Sequence, residues 1–284
     1  MIINEQINSR PATSADHGRI SNLIYFEPFV HRHLDWRAPL DWLGAPEYWV
    51  TEQNGRITSV LACPPDPEKV AWIRLFARTS SSTIDDTWNV LWETASREMT
   101  QSPGMIVAAI AMHDWFRAIL RRSNFEQSQN IVLLDHRSPP PAPRPLSAGV
   151  EILPITEQHL PQIAALDAQA FAPLWRNSLQ SLRFAYAQAG FATMAVENGQ
   201  IIGYQLTTRN AYGAHLARLA VHPNAQGRGI GFALLQRLLQ ETHRQNIFRL
   251  TVNTQSNNQA SLNLYQKTGF VLNGEQYPVF TYSF

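Results

Sequence analysis

The sequence has one cysteine, Cys63, in 284 residues. A single thiol forms no intrachain disulfide and no cysteine-based zinc cluster. Charge is also scarce: Asp, Glu, Lys and Arg make up 16% of the chain, below the usual quarter. The 23 cationic residues nearly cancel the 22 anionic ones, which leaves no basic field for nucleic acid and no acidic tail. No apolar run nears the roughly 20 residues of a membrane-spanning helix. The start, MIINEQINSRPATSADHG, has no signal-peptide core. These absences set the expectation of a cytoplasmic protein with neither a membrane nor a nucleic-acid partner. Gly-x-Ser-x-Gly elbows and His-Glu-x-x-His helices are missing too. His31 and His33 have no third ligand in view and read as a solvated loop, so no metal is expected.

The chain does have 44% hydrophobic residues, enough for a sizeable core, and the length of two ordinary domains. Five prolines between Arg137 and Pro145 exclude a helix or a central strand. They read as an extended linker that divides the chain almost in half. The halves carry matching markers. Asn54-Gly55 and Asn198-Gly199 each lie between strand-like runs, as two-residue hairpin turns do, and are 144 residues apart. Arg74-Leu75 and Arg218-Leu219, each inside an apolar strand-like run, are also 144 apart. These offsets predict two copies of one α+β unit: residues 1–136, a linker at 137–148, and residues 149–284.

Chemistry concentrates in the second copy. His215–Gly231 reads HLARLAVHPNAQGRGIG: an apolar strand, a proline stop, then a glycine-rich entry to an amphipathic helix with Ile230, Leu234 and Leu238 on one face. The first N–H groups of such a helix have no intrahelical acceptor, and the helix dipole adds positive potential, so the turn suits a phosphate or pyrophosphate. The spacing fits neither a Walker loop, which needs a following Lys-Ser or Lys-Thr, nor a Gly-x-Gly-x-x-Gly fingerprint. Gln226-x-x-Gly229-x-Gly231 resembles the Gln/Arg-x-x-Gly-x-Gly/Ala loop of the GNAT superfamily of acetyl-CoA-dependent N-acyltransferases. Asn258-x-x-Ser261-x-x-Leu264-Tyr265-x-Lys267-x-Gly269-Phe270 is similar to that family's following motif.

The resemblance implies two GNAT-like domains, each a mixed central sheet flanked by helices. It implies acetyl-CoA as co-substrate, with Leu219, Ala220 and Val221 offering backbone groups to its pantetheine arm. Gln226, Gly227, Arg228, Gly229, Ile230 and Gly231 would wrap the pyrophosphate, and Asn258 and Ser261 would contact the lower part of the molecule. Tyr265 would protonate the departing thiolate. The acceptor implied is an amine on a small molecule, peptide or protein N-terminus. The strand glutamate that serves many relatives as base is absent, and Asn253 stands where some of them carry it. His215, Glu275 and an ordered water are left as candidate bases. Phe171, Trp175 and Trp36 are candidate acceptor-site residues. The first half has Asp85 and Asp86 in place of glycines at its helix start and Leu120 where the second has Tyr265, which reads as a degenerate copy. An acyl-CoA-binding sensor without turnover is the alternative.

Overall fold

The computed structural model describes residues 7–136, 139, 142 and 148–284, so most of the proline-rich linker lies outside the described residues. The architecture is mixed α+β, as expected. It forms two compact units: Met1–Ser128 together with Pro278–Phe284, and Gln129–Tyr277. This corrects the expected division into 1–136 and 149–284. Each half of the sequence gives part of its last strand, 129–136 and 278–283, to the other unit, because strand pairing follows backbone hydrogen bonds and not the position of a linker.

The first half runs β1 (Asn8–Pro11), α1 (His17–Phe26), β2 (Phe29–Arg32), β3 (Tyr48–Gln53), β4 (Arg56–Ala62), β5 (Val70–Trp72), β6 (Leu75–Arg78), α2 (Val90–Met99), β7 (Ile106–Ile110), α3 (Asp114–Arg122) and β8 (Glu126–His136). Five strands form the antiparallel order β1-β3-β4-β6-β2. The hairpin turn between β3 and β4 has both Asn54 (φ 53°) and Gly55 (φ 72°) in the left-handed region, as its two-residue turn requires. β5 pairs in parallel with β7, which pairs on its other side with Val279–Ser283. The aromatic-rich core holds Trp49, Phe76, Trp88, Phe116 and Phe280. Trp88 and Trp92 stack at 5.7 Å.

The second half runs β9 (Val150–Pro154), α4 (Leu160–Ala170), α5 (Leu179–Ala187), β10 (Ala189–Glu197), β11 (Gln200–Asn210), β12 (Gly213–Val221), α6 (Ile230–Arg244), β13 (Leu250–Gln255), α7 (Gln259–Lys267) and β14 (Phe270–Ser283). The sheet order in the second unit is β8-β13-β12-β11-β10-β9. Only the β12–β13 pair is parallel; Ile131–Asp135 of β8 runs antiparallel to β13. Helix α6 buries Leu235, Leu238 and Leu239 against Leu216, Leu250 and Val252. Gly203 allows its close approach, since a Cβ there would lie 3.1 Å from Ile230 and 3.2 Å from Leu234. No helix among the described residues is long and apolar enough to cross a membrane.

His31 and His33 are not a solvated loop. His31 lies in β2, fully buried and stacked on Phe116 at 4.1 Å. His33 stacks on Trp72 at 4.8 Å. His31 takes the inward position of β2, and burial pushes its pKa down to about 3; His33 follows the strand, half-buried.

Candidate active site

The site is built where β12 and β13 part. Their parallel ladder covers only Ala214↔Leu250, His215↔Thr251 and Leu216↔Val252. A bulge at Ala217 follows: Leu206 faces Arg218 and Thr207 faces Leu216, which leaves Ala217 without an opposite number. From there to Val221, β12 stays paired with β11 on one side and has no strand partner on the other, among the described residues. Leu219, Ala220 and Val221 therefore line an open strand edge. An extended amide-bearing chain adds to such an edge by backbone hydrogen bonds.

The strand ends in a short 3-10 turn, Pro223–Ala225. Gln226 Nε2 then donates to the Val221 carbonyl (3.1 Å), folding the turn back on the strand. Gly227 (φ 75°) and Gly229 (φ 81°) take left-handed conformations that L side chains rarely adopt. The turn is exposed, and Ile230 anchors the helix start in the core. Arg228 is clamped to Glu197 in the β10–β11 hairpin, with Nη1 3.0 Å from Oε2. A Cβ on Gly231 would stand 3.2 Å from Leu264 and 3.6 Å from Val221, so the strand end, the helix start and α7 meet around a glycine. The open edge and the bare glycine turn fit an acyl-carrying pantetheine and its pyrophosphate.

Helix α7 is capped by Asn258, whose Oδ1 accepts from the Ser261 N–H (3.1 Å). Tyr265 lies two turns on, buried against Phe270 (5.7 Å). Burial raises its phenol pKa above the usual value, against the effect of a hydrogen bond with Ser261 and the charge of Arg218. The phenol is therefore protonated at neutral pH and can serve as an acid.

His215 stands at the paired end of the strands. Its Nε2 donates to Asn253 Oδ1 (3.0 Å) and its Nδ1 accepts from Thr251 Oγ1 (2.8 Å). Burial lowers its pKa, with the Asn253 bond opposing. It is a neutral strut between β12 and β13, with both ring nitrogens engaged.

A cavity of about 430 Å³ opens at the end of β13, lined by Gln129, Ala170, Phe171, Ala172, Leu174, Trp175, Gln255, Asn257 and Asn258. Phe171, Trp175 and Asn258 thus share one cavity, which His215 and Glu275 do not line. Glu275 is exposed and accepts from the Tyr277 hydroxyl (2.9 Å). Trp36 belongs to the first unit, where its backbone N–H donates to Asp35 Oδ1 (2.6 Å).

Reading the residue types missed the device that holds this cavity's wall. Asp167 of α4 is fully buried. It accepts two hydrogen bonds from Arg218 (2.7 and 2.8 Å), one from the Tyr204 hydroxyl (2.5 Å) and one from the Asn177 N–H (2.8 Å). Arg218 also donates to the Trp175 carbonyl (2.6 Å) and lies over the Phe171 ring at 3.5 Å. The Phe171–Asn177 segment is thereby tied to the strand beside the open edge. A lone arginine in the apolar run His215–Val221 was the available signal, since a buried cation requires an anion.

The first unit repeats the ladder and closes the edge. Val70↔Ile106, Ala71↔Val107 and Trp72↔Ala108 are the parallel pairs there. Past them, β6 takes β2 as its outer partner through Leu75↔Arg32, Phe76↔His31, Ala77↔Val30 and Arg78↔Phe29. Leu120 is buried in its core.

Comparison with known proteins agrees with this geometry. Residues 160–270 match the family described as "Acetyltransferase (GNAT) family". L-amino acid N-acyltransferase MnaT of Escherichia coli K12 is 42% identical over 55 residues, 19% of this chain and 32% of that protein. The [ribosomal protein bS18]-alanine N-acetyltransferase of the same strain is 31% identical over 74 residues, 26% of this chain and 50% of that one. The chain spans no more than half the length of the curated relatives it matches. A tandem GNAT protein from the clavulanic acid biosynthesis pathway shares the fold over 98% of both chains, with a TM-score of 0.62 at 16% identity. Residues 160–270 thus match the GNAT acetyltransferase family, and the chain as a whole shares the fold of a tandem GNAT protein.

Proposed function

We propose that the protein is an acetyl-CoA-dependent N-acetyltransferase acting on a primary amine, with one working site, in the second unit. The observation that carries this is the unpartnered edge of β12 running into the Gln226–Gly231 turn. Acetyl-CoA supplies the activated acetyl group. Leu219, Ala220 and Val221 hold its amide-bearing arm by backbone pairing; the turn and the α6 dipole hold its pyrophosphate. The cavity beside Asn258 holds the amine, and positioning the two reactants together supplies much of the rate. Tyr265 gives its proton to the departing sulfur. The MnaT and bS18-alanine relatives are named for acyl transfer to amino groups, which agrees with an amine acceptor. A cytoplasmic location goes with this reading, and so does a first unit that binds no coenzyme, its strand edge being occupied by β2.

One observation favours a second reading, an acyl-CoA sensor without turnover: among the described residues, no ionisable side chain lines the cavity. The deciding experiment is thiol release from acetyl-CoA with a panel of amines, beside calorimetric titration with acetyl-CoA. Release with at least one amine supports the enzyme. Binding without release to any amine supports the sensor.

A further inference from the structure

The cavity's chemistry narrows the acceptor. Of its nine lining residues none is ionisable. The unit's carboxylates lie elsewhere: Asp135, on β8, stands opposite Thr251 and accepts from Asn273 Nδ2 (3.4 Å). Asp167 is sealed under Arg218 and Tyr204. Glu197 holds Arg228, Glu241 holds Arg244, and Glu275 accepts from Tyr277. Glu151 and Glu157 are exposed, on β9 and in the turn before α4. His215 has both nitrogens bonded. Among the described residues, no side chain lining the cavity can therefore bind an ammonium ion as its counter-charge or take its proton. Placing an ammonium among these neutral groups costs solvation that nothing returns.

We infer that the acceptor is an uncharged, hydrogen-bonding compound whose amine is weakly basic, and that it enters the site already neutral. The inference rests on the acetyltransferase reading above. Its physical basis is the neutral fraction of the amine in water. An amine of lysine basicity, with pKa near 10.4, is neutral in only about one molecule in 800 at pH 7.5. One of α-amino basicity, near 7.8, is neutral in about a third, an advantage of roughly two hundredfold. A site without a base gains most from the second kind.

The lining also selects what surrounds the amine. Phe171, Leu174 and Trp175 offer apolar faces, and Gln129, Gln255, Asn257 and Asn258 offer amides, which both donate and accept. Amides match hydroxyls or peptide groups. No cation is among the described lining residues to meet a free carboxylate or phosphate; Arg218 is committed to Asp167 and the Trp175 carbonyl, and exposed Arg176 donates to the Phe171 carbonyl from outside the lining. A hexosamine and a neutral dipeptide amide share the required chemistry. In the reaction the neutral nitrogen forms the bond to the acetyl carbon and the carbon–sulfur bond breaks. The surplus nitrogen proton passes to water, and the sulfur takes the Tyr265 proton, which solvent replaces.

The test uses the full chain, with thiol release from acetyl-CoA followed between pH 6 and 9.5 for glucosamine, alanyl-alanine amide and Nα-acetyl-lysine amide. The expected result is a kcat/KM at pH 7.5 about a hundredfold or more higher for glucosamine, the dipeptide amide or both than for the lysine amine. The kcat/KM profiles of glucosamine and the dipeptide amide are expected to rise with pH and level near each one's own pKa, about 7.8, while that of the lysine amine, with pKa near 10.4, is expected to rise throughout the range. Preference between glucosamine and the dipeptide distinguishes the two sources. Equal use of the lysine amine, or a break at one pH for all acceptors, overturns the inference while leaving the acetyltransferase reading intact. No release with any amine overturns both.

Discussion

The two units use one strand arrangement and treat its edge differently. Their parallel ladders are in the same register 144 residues apart, with Val70↔Ile106 matching Ala214↔Leu250. Each is followed by an arginine paired with an aspartate of its own unit, Asp35 beyond β2 or Asp167 within α4: Arg74 with Asp35 (2.8 Å) and Arg218 with Asp167 (2.7 Å). Each guanidinium lies over an aromatic ring, Trp42 at 4.8 Å and Phe171 at 3.5 Å. Beyond that point the first unit seals its strand with β2, and the second leaves the strand open beside a glycine turn. A fold can therefore be kept while its slot is closed from within. Backbone groups already paired to the chain's own strand have nothing to offer an incoming ligand.

The comparison can be broken in several ways. The largest effect is expected at the shared clamp. Asp167→Asn leaves Arg218 without its counter-charge in a buried setting and should cost about 3–5 kcal/mol, read as a lower denaturant midpoint for the second unit. Asp35→Asn should weaken the first unit comparably. Only the first substitution should also raise acceptor KM, because only Asp167 supports the cavity wall; a KM effect from both would undo the assignment.

Next comes Tyr265→Phe, expected to lower kcat about a hundredfold, in the range of general acid catalysis, with acetyl-CoA affinity nearly unchanged in calorimetry. Leu120→Tyr in the first unit should restore no activity. A smaller effect is expected at the turn. Gly227→Ala with Gly229→Ala forces side chains into left-handed backbone and should weaken acetyl-CoA binding about tenfold. The wild-type stoichiometry is expected to be one per chain, and two per chain would refute the closed edge. The smallest effect concerns His31. Its folded pKa is depressed to about 3, below the unfolded value near 6.5, so the unfolded state binds more protons between those values. Stability is full above about pH 6.5 and falls as pH drops, by about 1.4 kcal/mol per pH unit at most for one group. His31→Gln should flatten that decline in the first unit's melting temperature, and an unchanged slope would exclude His31 as its source.

Much of the site was legible because it depends on local backbone needs. Asn54-Gly55 and Asn198-Gly199 announce their turns, as only such residues take positive φ cheaply. Gly227 and Gly229 announce a left-handed entry to α6, and Asn258 announces the cap of α7. The role of His215 was less legible. Its ring chemistry suggested a base, but which atoms face a ring is set by the neighbouring strand, and Thr251 and Asn253 of β13 engage both nitrogens.

By itself, then, the sequence determined the two-copy plan, the glycine-rich entry to α6, and the shortage of acids on which the proposed weakly basic acceptor rests. These are properties of spacing and residue type. Tertiary structure alone decided the rest. It assigned 129–136 to the second unit and 278–284 to the first, laid β2 along β6, and brought Asp167 beneath Arg218. The reason is that a strand edge or a buried charge specifies only that it must be satisfied. Which segment satisfies it depends on what the rest of the chain brings within hydrogen-bonding distance.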